Sequence, residues 1–170
     1  AGLARVLVAE APLLMTQGRG QSVREWIEML PAQARDADPR IRYWEGLALA
    51  PANPTAARDA LERAYAGFAA RDDAAGQLSA AAAVVDSHYL GWDDFRPLDR
   101  WIAVMDGLLA QRPAFADPAH EARVLSSLAI ALVYRQPFHG VIATVLDRLH
   151  RLLDETADVN DRITLATRLM

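Results

Sequence analysis

The 170-residue chain has no cysteine, which removes disulfides, thiolate nucleophiles and cysteine-ligated zinc or iron–sulfur centres together. It also lacks lysine, so every basic residue other than histidine is arginine. A glycine-rich phosphate loop closing on Lys-Ser or Lys-Thr is therefore excluded. The arginine bias, with abundant alanine, points to a GC-rich bacterial genome, which concerns codons and not activity. Long apolar runs are missing as well. The most apolar window, Leu78 to Val85, contains Ser79 and is bounded by Gln77 and Asp86, too short to cross a bilayer. Nor is there an excess of positive charge: a net charge of −4 with interspersed signs leaves no basic stripe, and direct nucleic-acid binding by this chain is not expected.

What is present is a globular composition, 52% hydrophobic and 24% charged, long enough to bury a core. Ala1 to Met15 does not read as a signal peptide, because Glu10 and Pro12 interrupt the apolar region that such a segment needs. A cytoplasmic setting is expected. At the other end Asp158-Val159-Asn160-Asp161 reads as a helix start, and Ile163, Ala166, Leu169 and Met170 continue an apolar face to the last residue. A helix truncated in this way predicts that the chain, read as one helical-repeat domain over 1–170, is a piece of a longer protein.

One stretch sets the register. Ser22 with Glu25 three residues on has the capping-box pattern; Val23, Trp26, Ile27 and Leu30 share one helical face, and Pro31 stops the helix. The same spacing returns at Ala57, Ala60, Leu61 and Ala64, at Leu98, Trp101, Ile102 and Met105, and at Ile142, Val145, Leu146 and Leu149. Phe68, Leu109 and Leu153 carry the last three faces through another turn. First positions 23, 57, 98 and 142 lie 34, 41 and 44 residues apart, periods that belong to helix-pair solenoids.

Partner helices lie between. Leu3, Val6, Leu7 and Leu14 lead into the turn Gln17-Gly18-Arg19-Gly20. Asp38-Pro39, Asn53-Pro54 and Asp117-Pro118 each place a capping side chain before a first-position proline. Ile41, Trp44, Leu47 and Ala48 follow the first of these, and Leu125, Leu128, Ala129 and Leu132 the last. Leu78, Ala81, Ala82, Val85 and Tyr89 mark a further helix after Asp73, and Asp94 is expected to cap the helix at Leu98. Short connections make successive helices antiparallel, and Gly46, Ala82 and Ala129 would let them approach closely. The fold predicted is all-α, a right-handed superhelix of about four antiparallel helix pairs with a truncated extra helix.

The run Gly20, Val23-Arg24-Glu25-Trp26-Ile27-Glu28-Met29-Leu30-Pro31, Asp38-Pro39-Arg40-Ile41-Arg42 and Gly46-Leu47-Ala48-Leu49 resembles the helical sensor region of MalT-like (LuxR-type) bacterial transcriptional regulators. Ala57, Leu61 and Ala64-Tyr65 are similar to the second helix of a tetratricopeptide repeat. The later periods are longer than the usual tetratricopeptide length, and Trp26 and Trp101 sit on second helices, so the repeats are irregular. The resemblance implies a nucleotide-binding domain before this chain and a DNA-binding helix-turn-helix after it.

No catalytic signature emerges. His88, His120, His139 and His150 show no i, i+4 pairing and read as surface or capping residues, so no metal or cofactor is expected. Asp86, His88, Asp93 and Asp94 straddle a helix end and offer the alternative of a small helical enzyme or metal-binding protein; His88, Tyr89 and Trp92 form an aromatic cluster suited to an interface. The inner surface, lined by the first helix of each pair, would present Arg42, Tyr43, Glu45, Asp86, Ser127, Tyr134 and Arg135 to a protein or peptide partner or a small effector. The expected function is a noncatalytic module that binds such a partner and regulates attached domains. Trp26 is expected to be an inter-repeat packing residue, its loss to Ala costing about 3–5 kcal/mol when fully buried.

Overall fold

Three helices begin where an Asp or Asn precedes proline. In the computed structural model, which describes residues 2–155, the Asp38 side chain accepts from the Arg40 amide at 3.0 Å, Asn53 from Ala56 at 3.0 Å and Asp117 from His120 at 2.7 Å. Each carboxylate or amide oxygen satisfies a first-turn N–H that has no partner within the helix. Asp73 caps a fourth helix through Gly76 at 2.8 Å. Among the described residues the chain forms nine helices and no strand: α1 Gly2–Thr16, α2 Gly20–Glu28, α3 Ala32–Ala37, α4 Pro39–Leu49, α5 Pro54–Ala69, α6 Ala74–Gly91, α7 Leu98–Ala110, α8 Pro118–Arg135 and α9 Ile142–Glu155. The all-α class is as expected. The helix anticipated after Asp158 lies outside the described residues.

Three local expectations are corrected. The Ser22–Glu25 capping box does not form. Gly18, at φ +72°, ends α1 with the Arg19 amide bonded back to the Leu14 carbonyl at 2.8 Å, and this left-handed cap turns the chain so sharply that α2 already starts at Gly20. Glu25 instead accepts from Gln21 Nε2 at 3.0 Å. Pro31 does end the second helix, but the chain then makes the short α3, whose Arg35 donates to the Leu30 and Glu28 carbonyls at 2.9 and 3.0 Å. Finally, Pro97, not Asp94, stands at the N-cap of α7. Asp94 lies too far upstream and accepts from the Arg96 amide at 2.9 Å.

The helices divide into two compact units, Ala1–Asp93 and Asp94–Met170. In the first, α1 packs on α2, α2 on α4, α4 on α5 and α5 on α6, while α4 also touches α1 and α6. Leu7, Ala11 and Leu14 of α1 meet Val23 and Ile27 of α2 and Ile41 and Ala48 of α4 in one apolar cluster. On α5 all five register positions, Ala57, Ala60, Leu61, Ala64 and Phe68, are buried. Gly67 of α5 lies against Pro39 of α4, and Gly46 of α4 against Leu61 of α5. The start of one helix thus meets the end of the next, the antiparallel arrangement that short connections impose.

In the second unit α7 and α9 both pack on α8. Leu98, Trp101, Ile102 and Met105 are buried as the register requires, as are Val145 and Leu149. Leu108 and Leu152, one position before the predicted Leu109 and Leu153, are the buried residues at these ends, while Leu109 and Leu153 are half-buried. Arg135, at the end of α8, pairs bidentately with Asp99 in the first turn of α7.

Trp26 is only partly buried at the edge of the first cluster. Its replacement by Ala is therefore expected to cost about 1–3 kcal/mol and not the full-burial figure, as read by urea denaturation. A methyl added at Gly46 would stand 2.4 Å from Leu61 Cγ and 3.1 Å from the Ala57 carbonyl oxygen. Overpacking of about 1–3 kcal/mol exceeds the ~1 kcal/mol helix-propensity gain, so Gly46→Ala should lower the denaturation midpoint. Gly107, with nothing within 4 Å of the same position, should gain about 0.5–1 kcal/mol on replacement by Ala.

Candidate functional site

The end of α6 joins a buried polar network to an exposed aromatic pair. Arg58, on the first turns of α5, reaches the last turn of α6 because the two helices are antiparallel. Its Nη1 lies 3.2 Å from His88 Nδ1 and donates to Asp93 Oδ1 at 3.1 Å; its Nη2 donates to Asp93 Oδ2 at 2.7 Å and to Thr55 Oγ1 at 3.0 Å. The Arg58 and His88 side chains are 14% and 7% exposed, that of Asp93 44%. The same His88 Nδ1 stands 3.6 Å from Asp93 Oδ1, so the imidazole edge faces both the guanidinium and the carboxylate. The hydrogen bonds from Arg58 hold the Asp93 carboxyl below its ordinary value of 3.8, with a smaller contribution from His88.

Above this network the backbone turns at Trp92, which caps α6 in the left-handed conformation at φ 44° and donates its amide to the His88 carbonyl at 3.0 Å. A non-glycine residue there costs on the order of 1 kcal/mol or more. Trp92 is 64% exposed, with Tyr89 edge-on to it at 5.7 Å and Leu90 exposed beside it on the chain. An indole held out to solvent on a conformation that disfavours it is a costly arrangement for the free protein.

Other expected site residues fall elsewhere. Arg42 is held by Asp36 at 2.6 Å and Glu45 at 2.7 Å, its side chain 12% exposed, so its charge and that of Glu45 are answered within the fold. Tyr43 is buried against Trp44 and Phe68, and Ser127 is wholly buried, its hydroxyl donating to the Arg123 carbonyl at 3.1 Å. Both were expected on an open inner surface; helix packing covers them instead. His88, expected at the surface or as a cap, is buried because α5 lies over it. Asp86 is half-buried. In the second unit Tyr134 stacks on Phe95 at 4.8 Å and Arg135 is tied to Asp99. The structure thus brings together His88, Tyr89 and Trp92, and adds Arg58. No motif marks Arg58, whose partners lie 30 and 35 residues away; only the antiparallel pairing of α5 with α6 could have pointed to it.

Chemically, Arg58 Nη1 reaches both His88 Nδ1 and Asp93 Oδ1, which themselves stand 3.6 Å apart, so the three groups form one charge-assisted cluster. Among the described residues no group of three His, Asp or Glu side chains could hold a metal, and no helix is long and apolar enough to cross a membrane. Comparison with protein-family models, curated proteins and solved structures finds no match.

Arg58→Met should cost the first unit about 1–2 kcal/mol near neutral pH, a partly exposed charge-assisted contact being worth less than a buried one. Because Asp93 is depressed in the folded state, its stabilising contribution is present above about pH 4 and is lost as pH falls through its folded value. The stability difference between wild type and Arg58→Met should therefore shrink at acid pH, measured by denaturation at pH 7 and pH 3, and a carbon-detected titration should show the Asp93 carboxyl returning toward 3.8.

Proposed function

We propose that this chain is a noncatalytic helical-repeat module, a right-handed superhelix of tetratricopeptide-like antiparallel helix pairs, that binds a protein segment and regulates attached domains, as in a bacterial transcriptional regulator. The observation that carries the reading is the exposed Tyr89–Trp92 pair fixed on the Arg58–His88–Asp93 network. Tryptophan and tyrosine dominate binding energy at protein interfaces when they fill a partner's pocket. A rigid aromatic also loses little conformational entropy on binding.

In the first unit α4 touches α1 across α2 and the short α3, and touches α6 across α5; with α3 counted as part of a connection, this order supports a reading as repeated helix pairs. Regulation would follow from differential binding: a segment that prefers one arrangement of the helix pairs shifts the population toward it. The resemblance to sensor regions of MalT-like regulators supplies the setting of a cytoplasmic regulator.

Selection of a random linear peptide display library on the full chain tests this. Enriched peptides should bind wild type and lose about tenfold or more in affinity to Trp92→Ala, a loss typical of an interface anchor, with the far-ultraviolet circular dichroism unchanged. Failure to enrich any sequence, or enrichment indifferent to both Trp92→Ala and Tyr89→Ala, would count against this surface as the binding face.

A further inference from the structure

Within the second unit, α7 and α9 rest on α8, and a cleft of about 310 Å³ opens among these three helices and the connection that carries Phe115. Leu109 of α7 and Leu125 and Leu128 of α8 line it with apolar surface, and the Phe115 ring closes one side, held edge-on by His120 at 5.5 Å. The volume stands at the lower end of the ~300–1,000 Å³ range of small-molecule sites, which share this design of apolar walls with a few polar groups.

The polar groups decide what such a ligand would be. Arg148 is the cation of the lining, and all of its nitrogens face carboxylates: Nε and Nη2 donate to the two Glu121 oxygens at 2.7 and 2.8 Å, and Nη1 to Glu155 at 3.3 Å. Three of its five N–H donors are therefore committed and its charge is answered by two carboxylates within the fold. Asp106 lines the same cleft from α7. Among the described residues its carboxylate has neither an ion pair nor a hydrogen bond, and the Thr144 hydroxyl on the α9 side likewise has no partner. With Asp106 and Glu121 against Arg148, the lining carries one net negative charge. A carboxylate beside apolar surface and a phenyl ring is a receptor for positive charge, since both the anion and the π-face attract a cation.

We infer that this cleft binds a small organic cation, an amine carried on an aromatic or alkyl body, with the ammonium on Asp106 and the body against Leu109, Leu125, Leu128 and Phe115. Thr144 supplies a second hydrogen-bond acceptor for the ammonium. Glu121 and Arg148 form a fixed polar wall, and neither partner need be released on binding. The site lies wholly on α7, α8, α9 and their connections, so it stands without the peptide-binding reading of the Tyr89–Trp92 surface.

The test uses the full chain, labelled with nitrogen-15, titrated with 2-phenylethylamine and separately with 3-phenylpropionate, which offers a similar apolar body and the opposite charge. The amine should produce saturable shifts centred on the amides of Leu109, Phe115 and Leu125, with the acid binding at least about tenfold more weakly. Asp106→Asn should weaken the amine by about tenfold and bring the two probes close to parity. Ala110→Trp, which fills the cleft, should abolish both, the amide pattern of residues 98–104 and 129–135, in the same unit, certifying that its fold is kept. No saturable shifts with the amine, equal affinity for amine and acid, an Asp106→Asn variant that binds as wild type does, or shifts confined to residues outside α7–α9 would each overturn the assignment.

Discussion

The close approach of α4 to α5 is the contact on which the first unit depends. Gly46 has no side chain because Leu61 occupies the place where one would be, and Leu61 is itself completely buried. With Ala57, Ala60 and Ala64 on the same face of α5, the two backbones come together over small residues and large side chains interdigitate beside them. A packed interior has no spare volume, so this contact fixes where α5 lies, and α5 in turn presents Phe68 to Gly76 of α6. The position of α6, and of everything at its end, follows from that chain of contacts.

Charged side chains then join helices whose apolar faces are already together. Arg58 ties α5 to the end of α6, Arg135 ties α8 to the start of α7, and Arg148 ties α9 to the start of α8. Each links positions that only an antiparallel pair brings into reach. Partly exposed pairs of this kind add little net stability; their consequence is local, because they settle which polar groups are engaged and which are left open. At the end of α6 the arginine engages both His88 and Asp93 and leaves the aromatics as the surface offered outward. In the cleft on α8 the arginine is engaged and Asp106 is left open.

The candidate surface was legible in part. His88, Tyr89 and Trp92 stand within five residues of one another, and a helix ending near Gly91-Trp92 can be read from the apolar pattern. The left-handed cap at Trp92 could not be, because the residue type opposes it and only the surrounding contacts impose it. Arg58 was invisible for a different reason: it sits on the polar side of an ordinary amphipathic helix, one of 18 arginines without a local signature. Tyr43 and Ser127 mislead in the opposite sense. Both occur off the apolar stripe, yet α4 and α8 are covered on more than one side, and a helix packed between neighbours buries residues that a single-face reading assigns to solvent.

Local sequence by itself determined the helices, most of their starts and their buried faces, because capping side chains, first-position prolines and a 3.6-residue apolar period act within one or two turns of the chain. It failed locally at Ser22, where the glycine cap of α1 began the next helix early, after Pro31, where the short α3 forms, and at Asp94, which lies too far upstream to cap α7. Tertiary structure alone decided that His88 is buried beneath α5, that Arg58 reaches both it and Asp93, and that a cleft opens over α8 with Asp106 in its lining. Those outcomes depend on contacts between residues 30 and 35 positions apart around Arg58 and, in the cleft, on three helices spread over residues 106–148, and nothing in a local pattern carries information about which side chain another helix will bring.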